Sequence, residues 1–104
     1  MNNSLKIAIC QLNPIVGDVD YNFNKIKESV TKNQDVDIIV FPEMFLFGYP
    51  IMDHIHDPVI RRRNKETLNK VKALNTKATI ILGTFTESDE IKDSINPFYN
   101  SAVV

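Results

Sequence analysis

Glu43 is the residue of this sequence whose position best suits acid–base chemistry. It follows an apolar run at residues 38–41 (Ile-Ile-Val-Phe) and comes directly after Pro42. An uninterrupted run of this kind predicts a strand buried on both faces of a helix-covered sheet. Pro42 has no N–H to donate, so strand pairing should end there and release Glu43 into the crevice beyond the strand's carboxyl end. From position alone, a functional carboxylate and a solvated loop carboxylate both remain open.

Cys10 is the one cysteine of the chain and therefore the one candidate thiol nucleophile. It lies within a predicted apolar strand, where a cysteine behaves as a small hydrophobic residue. The sequence thus favours a core role for Cys10 over a catalytic one. A single cysteine also excludes an intrachain disulfide framework and fits a reducing compartment.

Two polar segments are candidate binding sites. Residues 53–57 read Asp-His-Ile-His-Asp and could offer imidazole and carboxylate ligands, but without further ligands nearby we expect a solvated segment and no metal. Residues 61–63 are three consecutive arginines, which could grip a phosphate or an acidic partner. Adjacent residues of a helix point in different directions, so we expect a solvated helix surface instead.

The predicted elements alternate along the chain. Alternation of apolar and polar residues predicts a strand at 5–12, and an amphipathic helix capped by Asp18 or Asp20 should run from Val19 to about Asn33. Further strands are predicted at 37–41, at 78–85 and from residue 99 onward. An irregular connection is expected at 48–58, and a second helix should follow it, before the strand at 78–85. An exposed loop is expected at 87–93. That helix has a thin apolar stripe of Ile60, Thr67, Leu68, Val71 and Leu74. The predicted fold is α/β, in the order β-α-β-α-β-β.

The bulk composition narrows the class of partners. The chain has 104 residues, enough for at most one domain, with 12 Lys and Arg against 13 Asp and Glu and a net charge of −1. Such a balance argues against nucleic acid and anionic membranes as partners. No apolar run approaches the roughly 20 residues that cross a bilayer. We therefore expect a soluble, cytoplasmic protein that acts on small molecules or binds proteins.

Several short motifs, taken together, resemble the start of the nitrilase (carbon–nitrogen hydrolase) superfamily. They are residues 7–14 (IAICQLNP), 16–18 (VGD), 37–43 (DIIVFPE), 48–50 (GYP) with Asp53, and 99–103 (YNSAV). The elements GYP with Asp53, Asn13-Pro14 and Gly17-Asp18 are most similar to the glutaminase domain of glutamine-dependent NAD+ synthetases. Each motif is weak alone, but their order and spacing cover almost the whole chain.

The resemblance implies a nitrilase-like αββα sandwich and a Glu-Lys-Cys triad for amide hydrolysis. In this family pattern Glu43 is the general base, glutamine is the substrate, and a lysine stabilises the oxyanion formed when the cysteine attacks. The matching lysine and cysteine lie beyond residue 104. The resemblance therefore implies that residues 1–104 are a truncated amino-terminal part of the domain, inactive alone, which holds no cofactor. Its partners would be the missing remainder of the enzyme or further copies of the chain.

Other interpretations stay open at this point. Phe47 and Tyr49 either line the substrate pocket or only pack beneath the loop that contains them. The substrate could be another amide or a nitrile, as in other nitrilase-family amidases. A third interpretation is a non-catalytic α/β interaction module, which should fold cooperatively and stay soluble. Half of a sandwich should instead expose an apolar sheet face and an unpaired edge.

Overall fold

The computed structural model describes residues 4–48, 56–87 and 98–104, which form six elements. They are β1 (Ile7–Ile9), α1 (Val19–Lys32), β2 (Ile38–Val40), α2 (Pro58–Lys72), β3 (Thr79–Glu87) and β4 (Phe98–Val103). The strands form one sheet in the order β1-β2-β3-β4. Strand β2 pairs in parallel with β1 and with β3, whereas β3 and β4 are antiparallel. The predicted α/β class and the order β-α-β-α-β-β are confirmed.

Both helices begin at an aspartate that caps the first turn. Asp18 accepts a hydrogen bond from the Tyr21 backbone N–H (3.1 Å), and Asp57 accepts one from the Val59 N–H (2.9 Å). A carboxylate at this position satisfies a backbone donor that has no partner within the helix. Of the two aspartates predicted to cap α1, Asp18 therefore does so. Asp20 lies in the first turn and forms an ion pair with Arg63 of α2 (2.7 Å).

The helices cover one face of the sheet and form the core there. Ala8, Ile39 and Ile80 are register partners on β1, β2 and β3, and all three belong to or pack against the buried cluster. Helix α1 contributes apolar residues at helical spacing, which include Ile26 with no exposed surface. The remaining buried members are Val19, Val30, Phe41, Met44, Phe45, Leu46, Phe47, Val71, Leu82 and Phe85.

The opposite face of β1 and β2 remains open, which corrects the prediction that the strand at 37–41 is buried on both faces. Ile7 and Ile9 alternate with Ala8 and are 50% and 71% exposed. Their register partners Ile38 and Val40 are half-buried. Both described helices pack on the other side, so burial is one-sided. The sheet exposes an apolar face, as the interpretation as half of a sandwich predicts.

Strand β1 is shorter than the predicted strand at 5–12 because its one neighbour is short. Among the strands that the structure describes, it lies at the edge of the sheet and pairs with β2 alone. Around the register pairs, Asp37 N–H donates to the Lys6 carbonyl (2.8 Å) and Cys10 N–H donates to the Val40 carbonyl (2.9 Å). Beyond those bonds β2 has no ladder groups to offer, since Pro42 follows. The length of β1 is therefore set by its partner and not by its own alternating pattern.

A buried polar pair joins α2 to β3. The Thr84 hydroxyl donates to Asn64 Oδ1 (2.6 Å), and Asn64 Nδ2 donates to the Phe85 carbonyl (3.0 Å). Both side chains are almost fully buried, and hydrogen bonding offsets the cost of removing them from water.

Within the described ranges, neither helix has the length and apolar composition required to span a membrane.

Truncating Ile39 and Ile9 should have very different effects on stability. Ile39 has no exposed surface, so Ile39→Ala removes packing from the core and should lower the free energy of unfolding by about 2–5 kcal/mol. Ile9→Ala makes the same chemical change on the open face and should cost less than about 1 kcal/mol. Urea denaturation of residues 1–104 measures both. Equal losses would show that the open face is covered in solution.

Candidate active site

Strand β2 ends where the sequence predicts, at the proline that precedes Glu43. The last ladder bond is donated by the Phe41 N–H to the Ile81 carbonyl of β3 (2.9 Å). Pro42 has no N–H with which to continue the ladder, and the chain turns away at residues 43–47. Glu43 therefore lies just past the carboxyl end of a parallel strand that has a neighbour on each side.

The turn that carries Glu43 is otherwise apolar and buried. Met44, Phe45, Leu46 and Phe47 have at most 4% of their surface exposed, whereas Glu43 is exposed. The turn closes with a hydrogen bond from the Gly48 N–H to the Met44 carbonyl (2.7 Å). Met44 adopts a left-handed backbone with φ of 50°. Non-glycine residues take this conformation only when their surroundings hold them in it. Glu43 is thus an accessible carboxylate on a firmly held turn.

Phe47 packs inside the protein in this structure. Its ring has no exposed surface and lies 5.6 Å from the Phe85 ring, centroid to centroid. A second aromatic pair, Phe41 and Phe45, lies at 5.5 Å. Of the two interpretations for Phe47, packing beneath the loop is the one these contacts show, and a role in substrate binding stays a prediction. Tyr49 lies outside the described residues.

Asn22 anchors the carboxyl-terminal half of the turn, and the sequence analysis did not single it out. It has no exposed surface. Its Nδ2 donates to the carbonyls of Leu46 (2.9 Å) and Ile15 (2.9 Å), while Oδ1 accepts from the Ile15 N–H (2.8 Å). The signal was available in the sequence, because Asn22 lies between Val19 and Ile26 at the spacing of the apolar face of α1. A polar residue on that face requires buried partners.

Two glycines allow close backbone contacts at this turn. Gly48 closes the turn and approaches Val16, and Gly83 of β3 approaches residues 42–44. Gly48 has a φ of 82°, and a Cβ there would lie 2.8 Å from the Val16 Cα. On β3, a Cβ at Gly83 would lie 2.5 Å from the Pro42 carbonyl oxygen, 2.6 Å from the Met44 N and 2.8 Å from the Glu43 Cα. Either side chain would collide with backbone. No local pattern predicts the role of Gly83, since its neighbours in the sequence do not indicate what approaches β3.

The other candidate groups are placed in structural roles. Cys10 is half-buried and packs against the core cluster, in agreement with the core interpretation. Of residues 53–57, only His56 and Asp57 are described, and Asp57 caps α2. The described residues contain no group of three His, Cys, Asp or Glu side chains that could hold a metal ion. Arg62 and Arg63 diverge, toward Glu66 (3.9 Å) and Asp20 (2.7 Å).

The described concavities lie away from Glu43. One, of about 190 Å³, lies between the end of α2 and strands β3 and β4, and includes Leu68, Val71 and Leu82. A second lies between the amino-terminal ends of α1 and α2, where Phe47 and Arg63 border it. A third lies on the outer surface of α2. The crevice expected around Glu43 is not among these three.

Known proteins similar to this chain include NAD(+) synthetases and an amidase. The carbon-nitrogen hydrolase family matches residues 6–104. A glutamine-dependent NAD(+) synthetase of Thermotoga maritima is 36% identical over 104 residues, which cover 96% of this chain and 17% of that protein. A protein N-terminal amidase of Saccharomyces cerevisiae is 33% identical over 111 residues, which cover 97% of this chain and 23% of that protein.

A solved structure has the same fold over the same stretch. It is that of the glutamine-dependent NAD+ synthetase from Acinetobacter baumannii in complex with ADP, with a TM-score of 0.80 and 28% sequence identity. The match covers 94% of this chain and 18% of that one. This chain therefore spans less than a quarter of the length of each of these similar proteins.

Removal of the Asn22 amide should destabilise the protein far more than removal of a neighbouring one. Asn22→Ala leaves the Ile15 N–H and the carbonyls of Ile15 and Leu46 without this partner, so we expect a loss of about 2–4 kcal/mol in the free energy of unfolding. Asn24 is exposed on the same helix, and Asn24→Ala is the matched control, expected within about 0.5 kcal/mol of wild type. Similar urea midpoints for the two variants would contradict the anchoring role.

Proposed function

Since this chain belongs to the carbon–nitrogen hydrolase family, we propose that it forms the amino-terminal part of the glutamine-hydrolysing domain of a glutamine-dependent NAD+ synthetase. In this role Glu43 is the general base of the amide hydrolysis. The observation that carries the proposal is the position of Glu43, an accessible carboxylate at the carboxyl end of β2 on a turn whose other residues are buried. Open α/β sheets bind ligands at this edge.

The proposed reaction divides the work among three side chains. Glu43 takes the proton of a cysteine thiol, and the thiolate attacks the carboxamide carbon of glutamine. A lysine ammonium stabilises the negative charge on the carbonyl oxygen of the tetrahedral intermediate. The C–N bond breaks and the nitrogen leaves as ammonia with the proton that Glu43 held, which yields a glutamyl thioester. Water then hydrolyses the thioester to glutamate and the free thiol. The lysine and cysteine are supplied by polypeptide beyond residues 1–104.

The open face of the sheet supports a sandwich architecture for the complete domain. The side chains of Ile7 and Ile9 are half or more exposed. A contiguous apolar face of this kind is typically covered by another layer. In an αββα sandwich that layer is a second sheet, which would also provide the wall that the described residues lack around Glu43. The same feature argues against a self-sufficient interaction module.

The choice of glutamine as substrate rests on the similar proteins. The Thermotoga maritima and Acinetobacter baumannii proteins are both glutamine-dependent NAD(+) synthetases, and the similarity to each extends over at least 94% of this chain. We therefore assign the ammonia released at this site to NAD+ biosynthesis by a ligase elsewhere in the enzyme. The single cysteine fits a cytoplasmic location for this activity.

A second candidate function is supported by one of the similar proteins. The protein N-terminal amidase of Saccharomyces cerevisiae is nearly as similar in sequence, at 33% identity. An amidase of that kind would use the same carboxylate on an amide at the start of a polypeptide. Ammonia release from free glutamine, compared with release from a peptide that begins with a side-chain amide, separates the two functions.

Replacement of the Glu43 carboxylate should greatly slow ammonia release from glutamine. The assay uses the polypeptide that contains residues 1–104 together with the lysine and cysteine, or a complex that supplies them from a second chain. Glu43→Gln keeps the shape of the side chain but cannot accept the thiol proton, so we expect kcat to fall by about 10²–10⁴-fold. Because Glu43 is exposed, the melting temperature should change little.

Glu28→Gln is the matched control for this substitution. Glu28 is exposed on α1 and pairs with Lys25 at 3.6 Å, so its loss should leave both kcat and stability near wild type. A Glu43→Gln enzyme that turns over glutamine at the wild-type rate would refute the assignment of Glu43 as the base.

Residues 1–104 alone should release no ammonia from glutamine. The chain has no partner lysine and cysteine of the family pattern, and the half-buried Cys10 packs against the core. The purified chain, assayed for ammonia with glutamine above millimolar concentration, should match a no-enzyme blank. Turnover that survives Cys10→Ala but not Glu43→Gln would contradict this expectation.

A further inference from the structure

Glycine at position 83 allows β3 to touch the backbone on both sides of Glu43. A Cβ at this position would lie 2.5 Å from the Pro42 carbonyl oxygen, 2.6 Å from the Met44 N and 2.8 Å from the Glu43 Cα. Every one of these atoms belongs to the backbone, so no side-chain rotation relieves the contact. To restore ordinary separations of 3.4 Å or more, the turn and β3 would have to move apart by close to 1 Å.

The turn cannot move freely away from β3, because its far end is fixed. The Leu46 N–H donates to the Gly83 carbonyl (3.3 Å), which keeps the turn beside β3. The Leu46 carbonyl accepts from Asn22 Nδ2 (2.9 Å), which ties the turn to α1. Gly83 and Asn22 therefore both hold the turn through the backbone of Leu46. A side chain at position 83 would displace the segment nearest to it, residues 42–44, which has Glu43 at its centre.

We propose that Gly83 is a positioning residue for the general base, and that Asn22 fixes the opposite half of the same turn. This inference rests on the proposed function of Glu43. A general base must reach within about 2.6–3.2 Å of the proton that it accepts. A displacement of about 1 Å of a catalytic group lowers the rate by about 10²-fold. The absence of a side chain at position 83 thus sets the place from which the Glu43 carboxylate acts.

The test compares Gly83→Ala with Thr84→Val in the glutamine-hydrolysing form of the enzyme that contains this chain. Gly83→Ala should lower kcat by about 10- to 100-fold and change KM for glutamine by less than about 3-fold, because only the base is displaced. Thr84→Val is the matched control. It removes the buried hydroxyl that donates to Asn64 of α2 (2.6 Å) and so destabilises the adjacent position of β3 through its contact with that helix. Its kcat should stay within about 2-fold of wild type.

A double variant separates positioning from a general loss of structure. In a Glu43→Gln background the base is already absent, so Gly83→Ala should lower kcat no further. A purely structural defect would lower kcat by the same factor in both backgrounds. Loss of kcat from Thr84→Val equal to that from Gly83→Ala, or the same factor in both backgrounds, would overturn the inference.

Asn22→Ala keeps the inference testable if Gly83→Ala does not fold. This variant removes atoms instead of adding them, and it releases the Leu46 carbonyl at the far end of the turn. We expect a fall in kcat of about 10-fold with KM nearly unchanged, whereas Asn24→Ala should match wild type. Wild-type kcat in a folded Gly83→Ala enzyme, or in Asn22→Ala where Gly83→Ala does not fold, would overturn the positioning role while Glu43→Gln still lowered kcat. Full activity of Glu43→Gln would instead overturn the proposed function, and the positioning role with it.

Discussion

The parallel pairing of β2 on both of its edges is the constraint on which the rest of the structure depends. A strand with a neighbour on each side must satisfy every backbone donor and acceptor within the ladder. The first residue that cannot do so ends the strand, and here that residue is Pro42. Its position limits the length of β1, marks the point at which the chain leaves the sheet, and places Glu43 just past the carboxyl end of β2, beside β3, which continues to Glu87.

The layers around the sheet are asymmetric, and this asymmetry explains why the candidate site has one wall among the described residues. Helices α1 and α2 bury one face, with Ile39 fully enclosed between them and the sheet. On the other face Ile9 is 71% exposed. The turn after β2 is buried through its apolar residues but leaves the Glu43 side chain accessible. The described part of the chain thus provides a rigid support for a carboxylate and one wall of a site.

Local patterns predicted the elements well, because the forces behind them act over a few residues. Asp18 caps α1 through a donor three residues away, and Pro42 ends β2 through its own missing N–H. The close approach of Gly83 to the Glu43 backbone is between residues 40 positions apart in the chain, so no pattern of neighbouring residues predicts it. One-sided burial of β2 is likewise a property of the layers around it. An apolar run such as 38–41 reports strand propensity and does not report which face is covered.

Parallel topology also sets the route by which this sheet can assemble. Each partner of β2 is separated from it by a complete helix, whereas β3 and β4 are consecutive strands that pair antiparallel. The entropy of closing a long loop must be lost before the strands at its ends can pair, which slows folding. We therefore expect β3 and β4 to pair faster than the parallel strands do. During that delay the edge of β1 and the isoleucines beside it are accessible to other polypeptides. The apolar residues of β1 and β2 are therefore the part of the chain most prone to association before the sheet is complete, and this part also carries Glu43 at its carboxyl end.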